Sequence, residues 1–216
     1  MRIGALVLAA GESSRLGTPK QLLVGTDGSP LVSSVVHALH AGGCDPIVVV
    51  LGAYADEVAL ALIENATTVH LVPNRAWREG MGSSIRAGIA AMSTHGMMQD
   101  VGAVLVAACD MPSANGAHFA ALRSAFIGGA SGGAAMRVAS EYEGKDGGRT
   151  TRGIPAMIPR ADWPQLLTLA GDRGAKGLFD SNDTLTVPLA RGSFDLDTPA
   201  DVAAWRAAAH THDSAS

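Results

Sequence analysis

The chain has 216 residues, 47% of them hydrophobic and only 4% aromatic, with a formal net charge of −4. That is enough for one large domain with an aliphatic core. The acidic balance argues against a nucleic-acid partner held through phosphate contacts, though not against a small anionic ligand held by local basic residues.

The N-terminal "IGALVLAA" reads as a central strand, apolar on both faces. "SPLVSSVVHALHAGG" reads as a helix with Ser29 as N-cap, Pro30 in the first turn, a Leu31, Val35, Leu39 stripe and Gly42 near the stop. "PIVVVLG" is a second buried strand and "ADEVALALIEN" a second helix. "TVHLVPN" is a third strand, and "EGMGSSIRAGIAAM" a helix with a small, polar first turn. "GAVLVAACDMP" is a fourth buried strand ending in Asp110 and Pro112, followed by the helical "NGAHFAALRSAF". Buried strands alternating with helices predict an α/β domain with a mostly parallel sheet covered on both faces. The pattern then loosens: "GGASGG" and "EGKDGGRTTRG" read as Gly-rich breaks around the strand-like "AAMRVAS". "PRADWPQLLTLAGDRGAKGLF" predicts one or two helices, "TLTVPLA" a strand, and "SFDLDTPADVAAWRAAAH" a turn and closing helix that begins at Thr198 and Pro199. One domain over 1–210 is expected, its halves meeting near residue 112, with a disordered tail over 211–216.

Cys44 and Cys109 form neither a CxxC pair nor a disulfide framework, and read as small buried hydrophobes suited to a cytoplasmic setting. "MRIGALVLAAG" mimics a signal peptide, but its apolar run is short and ends in a Gly-rich loop, so secretion is not expected. No other apolar run nears the roughly 20 residues of a membrane span.

The first strand runs into "LAAGESSRLGTPKQLL". In an open parallel sheet ligands gather at the carboxyl ends of the strands. Gly11 and Gly17 can bring backbone N–H groups close to an anion, and Arg15 and Lys20 add positive charge suited to phosphate. The spacing matches neither the dinucleotide fingerprint nor a P-loop. The loop alone therefore reads equally as a Gly-rich turn with solvated basic residues. Asp110 falls at the same sheet edge, as a helix cap or a metal ligand. "DLDTPAD" adds Asp195, Asp197 and Asp201, of which Asp197 can serve either as a metal ligand or as a cap shared with Thr198. Two such carboxylates beside a basic Gly loop make a Mg²⁺–triphosphate site plausible.

"LAAGESSRLGTPKQLL" resembles the signature of nucleotidyltransferases with a three-layer, Rossmann-like, GT-A-like fold. "NRAWREGMGSSIRAGI", "CDMP", "GIPAMIPR", "GDRGAKGLF" and "FDLDTPAD" resemble the molybdenum cofactor cytidylyltransferase group, over nearly the whole chain from Ile3 to Trp205. The resemblance implies that Leu8, Ala9, Ala10 and Gly11 meet the nucleotide, that Arg15 and Lys20 meet its phosphates, and that Gly82, Ser83 and Ser84 border the base. Asp110 and Asp197 would hold Mg²⁺, or Mn²⁺ in its place, making Arg15, Lys20 and Asp110 the catalytic set. The "LAAG" form favours CTP over GTP.

By the same resemblance the acceptor is the terminal phosphate of the molybdenum-bearing pterin. Arg152, Gly153, Pro155, Asp172 and Arg173 are its candidate contacts, beside an equal reading of them as loop punctuation and a helix-end ion pair. Ile154 departs from the polar residue common in the family's "GxP" loop. A phosphate monoester is largely dianionic at neutral pH and is already a nucleophile, so no Ser–His pair or base is required. His37, His40, His70, His210 and His212 are given no role. Met81, Met92, Met97 and Met98 read as packing, and Trp77 as packing or a flank of the nucleotide pocket. Two rival readings remain. One is a nucleotidyltransferase acting on a sugar phosphate or using GTP or ATP. The other is a noncatalytic protein that hands cofactor to a molybdoenzyme partner.

Overall fold

The computed structural model describes residues 1–25, 27–65, 67–94, 96–130, 136–144, 149–181 and 183–213, apart from the side chains of Met97, Ala130, Arg173 and residues 209–213. Seven strands form one sheet in the order β3-β2-β1-β4-β6-β5-β7. In chain order they are β1 (Arg2–Ala9), β2 (Ile47–Leu51), β3 (His70–Pro73), β4 (Val101–Ala108), β5 (Arg137–Glu143), β6 (Thr150–Pro159) and β7 (Thr184–Pro188). The helices are α1 (Leu31–Ala41), α2 (Ala55–Glu64), α3 (Met81–Thr94), α4 (Gly116–Ala130), α5 (Trp163–Leu166) and α6 (Pro199–Asp213). β1, β2, β3 and β4 pair in parallel, as do β5 and β7, while β6 runs antiparallel to both β4 and β5.

Alternation along β1 divides the core between two layers. Ile3, Ala5, Val7 and Ala9 face α1, α2 and α4, packing with Val36, Leu62 and Phe119. Leu6, Leu8 and Ala10 face α3 and α5, packing with Ile85, Ile89 and Trp163. This is the three-layer α/β/α arrangement expected of a strand apolar on both faces. Among the described residues no helix is long and apolar enough to cross a membrane.

Four sequence expectations change. The cap of α1 is Pro30 rather than Ser29: Pro30 bridges to Val24, and Ser29 N–H instead donates to Asp27 at 3.0 Å. β6 was hidden inside a stretch read as a Gly-rich break and a Pro-containing motif. Its interior proline is tolerated because the ladder skips it. β5 pairs Ser140 with Gly153 and Ala139 with Ala156, leaving Ile154 and Pro155 as the extra residues of a bulge where no N–H is needed. The predicted helix after β6 is only α5 and short 3₁₀ turns. The closing helix runs on to Asp213, past the expected start of the tail.

Candidate active site

The loop after β1 is wound around Ser13, which adopts φ 55°, and Gly17 follows at φ 75°. Ser13 O accepts from the N–H groups of Leu16 and Gly17, each at 3.0 Å, and Ser13 Oγ accepts from Lys20 N–H at 3.1 Å. These bonds place Lys20 at the carboxyl edge of the sheet. Asp110 lies just past the end of β4, on the strand beside β1. Asp197 arrives from the far end of the chain, because Leu196 N–H donates to Asp110 O at 3.1 Å and the Leu196 side chain is buried with Leu31 and Val202.

Lys20 Nζ meets Asp110 Oδ2 and lies 3.3 Å from Asp197 Oδ1, while Arg15 donates to Asp197 Oδ2 at 2.9 Å. Lys20, Asp110 and Asp197 are largely buried, at 17–19% side-chain exposure, whereas Arg15 is 71% exposed. Burial works against the Lys20 charge. The hydrogen bond and Coulomb attraction of Asp110, helped by Asp197, outweigh it and hold the pKa above the ordinary 10.5. A raised lysine contributes its full stabilisation below its ordinary value and loses it only as pH rises through the folded one, so Lys20 keeps its charge across the neutral range.

Asp197 does not cap α6. Thr198 and Asp201 do so reciprocally: the N–H and Oγ of Thr198 donate to Asp201 Oδ2 at 2.8 and 2.7 Å, and Asp201 N–H donates to Thr198 Oγ at 3.3 Å. The Asp197 carboxylate is thereby left to the cluster.

Two clefts open from this point. The first, of about 560 Å³, is lined by the loop residues Leu8, Ala10, Gly11, Glu12, Lys20 and Gln21, and across from them by Trp77, Arg78, Gly80, Met81, Ser84 and Asp172. Its far wall is tied together by buried hydrogen bonds. Buried Asn74 donates to Ser83 Oγ at 2.9 Å and Ser84 Oγ at 3.1 Å, and accepts from Ala76 N–H at 3.0 Å. Gly80 has φ 103°, and a Cβ there would strike Asp172 and the Gly171 backbone; a Cβ on Gly82 would come within 3.0 Å of Ala170 N. These two glycines let the "EGMGSS" and "GDRGA" segments pack backbone to backbone. Arg86 reinforces the join, donating to Leu169 O and to Glu79 at 2.7 Å.

The second cleft, of about 570 Å³, shares Met81, Ala108 and Asp110 with the first, and adds Tyr142, Arg149, Thr151, Ile154, Lys176, Ser193 and Asp195. Burial raises the Tyr142 pKa, and the Asp195 carboxylate adds to the shift. Asp195 thus belongs to this second wall, and Asp197 is the one beside Lys20.

Of the sequence-predicted nucleotide residues, Leu8, Ala10, Gly11, Lys20 and Ser84 line the first cleft; of the predicted metal ligands, Asp110 lines both clefts and Asp197 lies behind it, outside either lining. The Ala9 side chain faces the opposite layer and its carbonyl is bound by Gln21; Arg15 sits outside the lining, on Asp197. Ser83 is 2% exposed and its hydroxyl is engaged with Ala76 O and Gly80 O, so it supports the wall from behind. Gly82 is likewise buried.

The acceptor candidates divide differently. Asp172 belongs to the first cleft. Arg152 points away from both, toward Phe179 O at 3.4 Å and Ser181 O at 3.5 Å. Gly153 lies beneath the Tyr142 hydroxyl, and Pro155 O accepts from Ser140 at 2.6 Å. The side chains of Arg173, His210 and His212 lie outside the described residues. Strand alternation gives the reason for Arg152: its neighbour Thr151 takes the cleft-facing position. Arg149, Lys176 and Gln21 were not singled out from the sequence. Met81 proves 40% exposed between the clefts rather than core, and Trp77 both packs and lines the cleft.

Cys109 borders the first cleft, but burial pushes its thiol up to about 12, and Cys44 likewise to about 12. Neither is a thiolate nucleophile at neutral pH.

A parallel-sheet edge carrying a Gly-rich basic loop, with a buried Lys–Asp–Asp cluster between two clefts, is the architecture of a nucleotidyltransferase. Residues 5–185 match the MobA-like NTP transferase domain, and the chain belongs to that family. It is 32% identical over 176 residues to the nicotine blue oxidoreductase of Paenarthrobacter nicotinovorans, covering 81% of this chain and 79% of that one. Among solved structures, the Mycobacterium tuberculosis H37Rv protein Rv0371c is 26% identical, with TM-score 0.71 over 94% of this chain and 97% of its own. A structure of Rv0371c in complex with manganese superimposes with TM-score 0.67 at 24% identity, over 95% of this chain and 98% of that one. A nucleotidyl transferase from Methanothermobacter shares the fold with TM-score 0.71 at 24% identity, over 94% of this chain and 95% of its own. The protein is a nucleotidyltransferase enzyme.

Proposed function

We propose that this enzyme transfers CMP from CTP to the terminal phosphate of the molybdenum-bearing pterin and releases pyrophosphate. The observation that carries the reading is the Lys20–Asp110–Asp197 cluster at the junction of two clefts of similar size. Two bound anions can meet only where positive charge offsets their repulsion; Lys20 and Arg15 bring cations to that point, and a divalent ion on Asp110 and Asp197 would offset the carboxylates and add to it. The first cleft has the N–H-rich loop and the planar Trp77 wall suited to a nucleotide. The second has Arg149 and Lys176 suited to an anionic acceptor.

In the reaction an acceptor phosphate oxygen attacks the α-phosphorus, a new P–O bond forms, and the bond to the β-phosphate oxygen breaks with its electron pair leaving on pyrophosphate. Lys20 supplies a largely buried ammonium where that charge develops, and Arg15 a second, exposed cation. No protein base is needed, because the acceptor phosphate enters ionised.

Asp110 and Asp197 present hard oxygens at one point, and among the described residues no group of three or more metal-ligating side chains gathers. That donor set fits Mg²⁺ or Mn²⁺, which bind through one or two carboxylates with phosphate and water completing the sphere. A divalent ion held there would neutralise phosphate charge.

The CTP assignment rests on the "LAAG" loop, and the pterin acceptor on the "GDRGA" and "GIPAMIP" segments. A cytoplasmic site of action and delivery of product to a molybdoenzyme belong to the same proposal. A second reading, an oxidoreductase activity, draws on the name of the 32%-identical relative; the charge cluster favours phosphoryl transfer.

The test is pyrophosphate release with Mg²⁺ and molybdenum-loaded pterin, comparing CTP, GTP and ATP. Release with CTP alone is expected. Release with another nucleotide would overturn the base assignment. Release with a sugar phosphate but not the pterin would overturn the acceptor. Consumption of a hydride donor without pyrophosphate would favour the second reading, and nucleotide binding without turnover a carrier.

A further inference from the structure

Gln21 is fully buried and lines the foot of the first cleft. Its amide nitrogen donates to Ala9 O at 3.0 Å and to Gly11 O at 2.8 Å, and Ala10 O between them accepts from Ala53 N–H at 3.2 Å. Three consecutive carbonyls at the strand-to-loop junction are therefore tied to the protein. In a trans peptide unit the N–H points opposite to the C=O. Fixing the Ala10 and Gly11 carbonyls consequently fixes the N–H groups of Gly11 and Glu12 in the reverse direction. Among the described residues these two N–H groups have no protein partner, and both residues line the cleft.

We propose that Gln21 is a positioning residue that, through its bond to Gly11 O, aims the Glu12 N–H at the bound nucleotide's phosphates, beside the Gly11 N–H that Ala53 fixes through Ala10 O. The proposal rests on the first cleft being the nucleotide site. A second observation separates this role from simple packing. Gln21 Oε1 is buried and has no hydrogen-bond partner. With two carbonyls to satisfy, the amide has only one workable orientation, and its oxygen is left unpaired at a cost. A side chain selected for stability alone would not leave an acceptor stranded. One selected to hold two carbonyls a residue apart needs the NH₂ group and tolerates the orphan.

The experiment measures CTP affinity calorimetrically in Mg²⁺ without acceptor, for wild type, Gln21→Glu and Gln21→Met, from pH 8 down to pH 6. Gln21→Glu keeps the shape but faces two carbonyls with a carboxylate. Its CTP affinity should fall by about tenfold or more at pH 8, the worth of one hydrogen bond to a charged group. It should recover partly as pH falls, because a protonated carboxyl regains one donor. Gln21→Met should lose affinity with no pH recovery, and it reports on the loop should the glutamate variant fail to fold. In a separate turnover assay with saturating CTP, the KM for molybdenum-loaded pterin should stay unchanged in both. Wild-type CTP affinity in the variants, or equal loss of CTP and acceptor affinity, would overturn the positioning role. Failure of the wild type to bind CTP would instead overturn the nucleotide reading, and the proposal with it.

Discussion

The two clefts share Asp110 and Met81 yet are built by different means. The first is made from the ends of parallel strands and fixed by buried polar ties: Gln21 on the loop, Asn74 on the facing wall, and glycines where two segments touch through backbone. The second is walled by the β5–β6 pair and the loops beyond it. Its basic residues, Arg149 and Lys176, are exposed side chains. Fixed donors suit a ligand portion that is always the same, such as a triphosphate. Long flexible cations suit a ligand held chiefly through its charge. The difference predicts that substitutions in the first region act through geometry, and those in the second through charge.

The largest effect should come from the shared point. Asp110→Asn should lower the rate of pyrophosphate release by about 10³-fold while the protein still folds, as read by single-turnover assay and circular dichroism. Retained activity would remove Asp110 from the reacting centre.

Next, Lys20→Met should cost about 10²-fold in kcat. It leaves Asp110 and Asp197 facing each other, so urea unfolding should also show lower stability. A change in KM for CTP alone, with kcat intact, would make Lys20 a binding group only.

Replacing both Arg149 and Lys176 by alanine should raise the acceptor KM about tenfold or more and leave the KM for CTP within experimental error. Movement of the CTP value instead would merge the clefts into one nucleotide site. Within the first region, Asn74→Ala leaves the Ser83 and Ser84 hydroxyls without their buried donor. It should destabilise the protein by about 1–3 kcal/mol in urea denaturation.

The smallest effect lies behind the second cleft. His118 on α4 is 8% exposed, and its Nε2 meets Ser140 Oγ at 2.8 Å while the Ser140 hydroxyl donates to Pro155 O at 2.6 Å. The imidazole therefore donates Nε2–H as the neutral form, and burial holds its pKa below the ordinary 6.5. The unfolded chain takes up the proton first on acidification. Stability from this group is present above pH 6.5 and is lost as pH falls through the folded value. His118→Gln, which keeps a donor but does not titrate, should flatten the stability–pH curve in that window.

The same contrast explains what the sequence disclosed. Strand ends in a parallel sheet converge whatever their side chains, so Gly11, Lys20 and Asp110 could be brought together from pattern alone. The role of Asp197 was open until the Thr198–Asp201 cap showed which carboxylate was left over. The second cleft was illegible for a local reason. Pro155 and Gly153 read as punctuation, so β6 was not recognised, and without its bulge the face shown by each residue could not be assigned. Arg152 was therefore chosen where Arg149 and Thr151 face the cleft. Gln21 left one faint signal, a fully polar amide between Lys20 and an apolar Leu-Leu pair.

The two-carboxylate site depends most directly on Asp197, which joins the cluster from the opposite end of the chain. Single-turnover pyrophosphate release should be compared between wild type and Asp197→Asn, with saturating CTP, Mg²⁺ and molybdenum-loaded pterin. A loss of about 10²–10³-fold is predicted, with a protein that still folds and loses only the stability its Lys20 and Arg15 pairs contribute, because the α6 cap does not use this carboxylate. A wild-type rate would place Asp197 outside the reacting centre and contradict the two-carboxylate site.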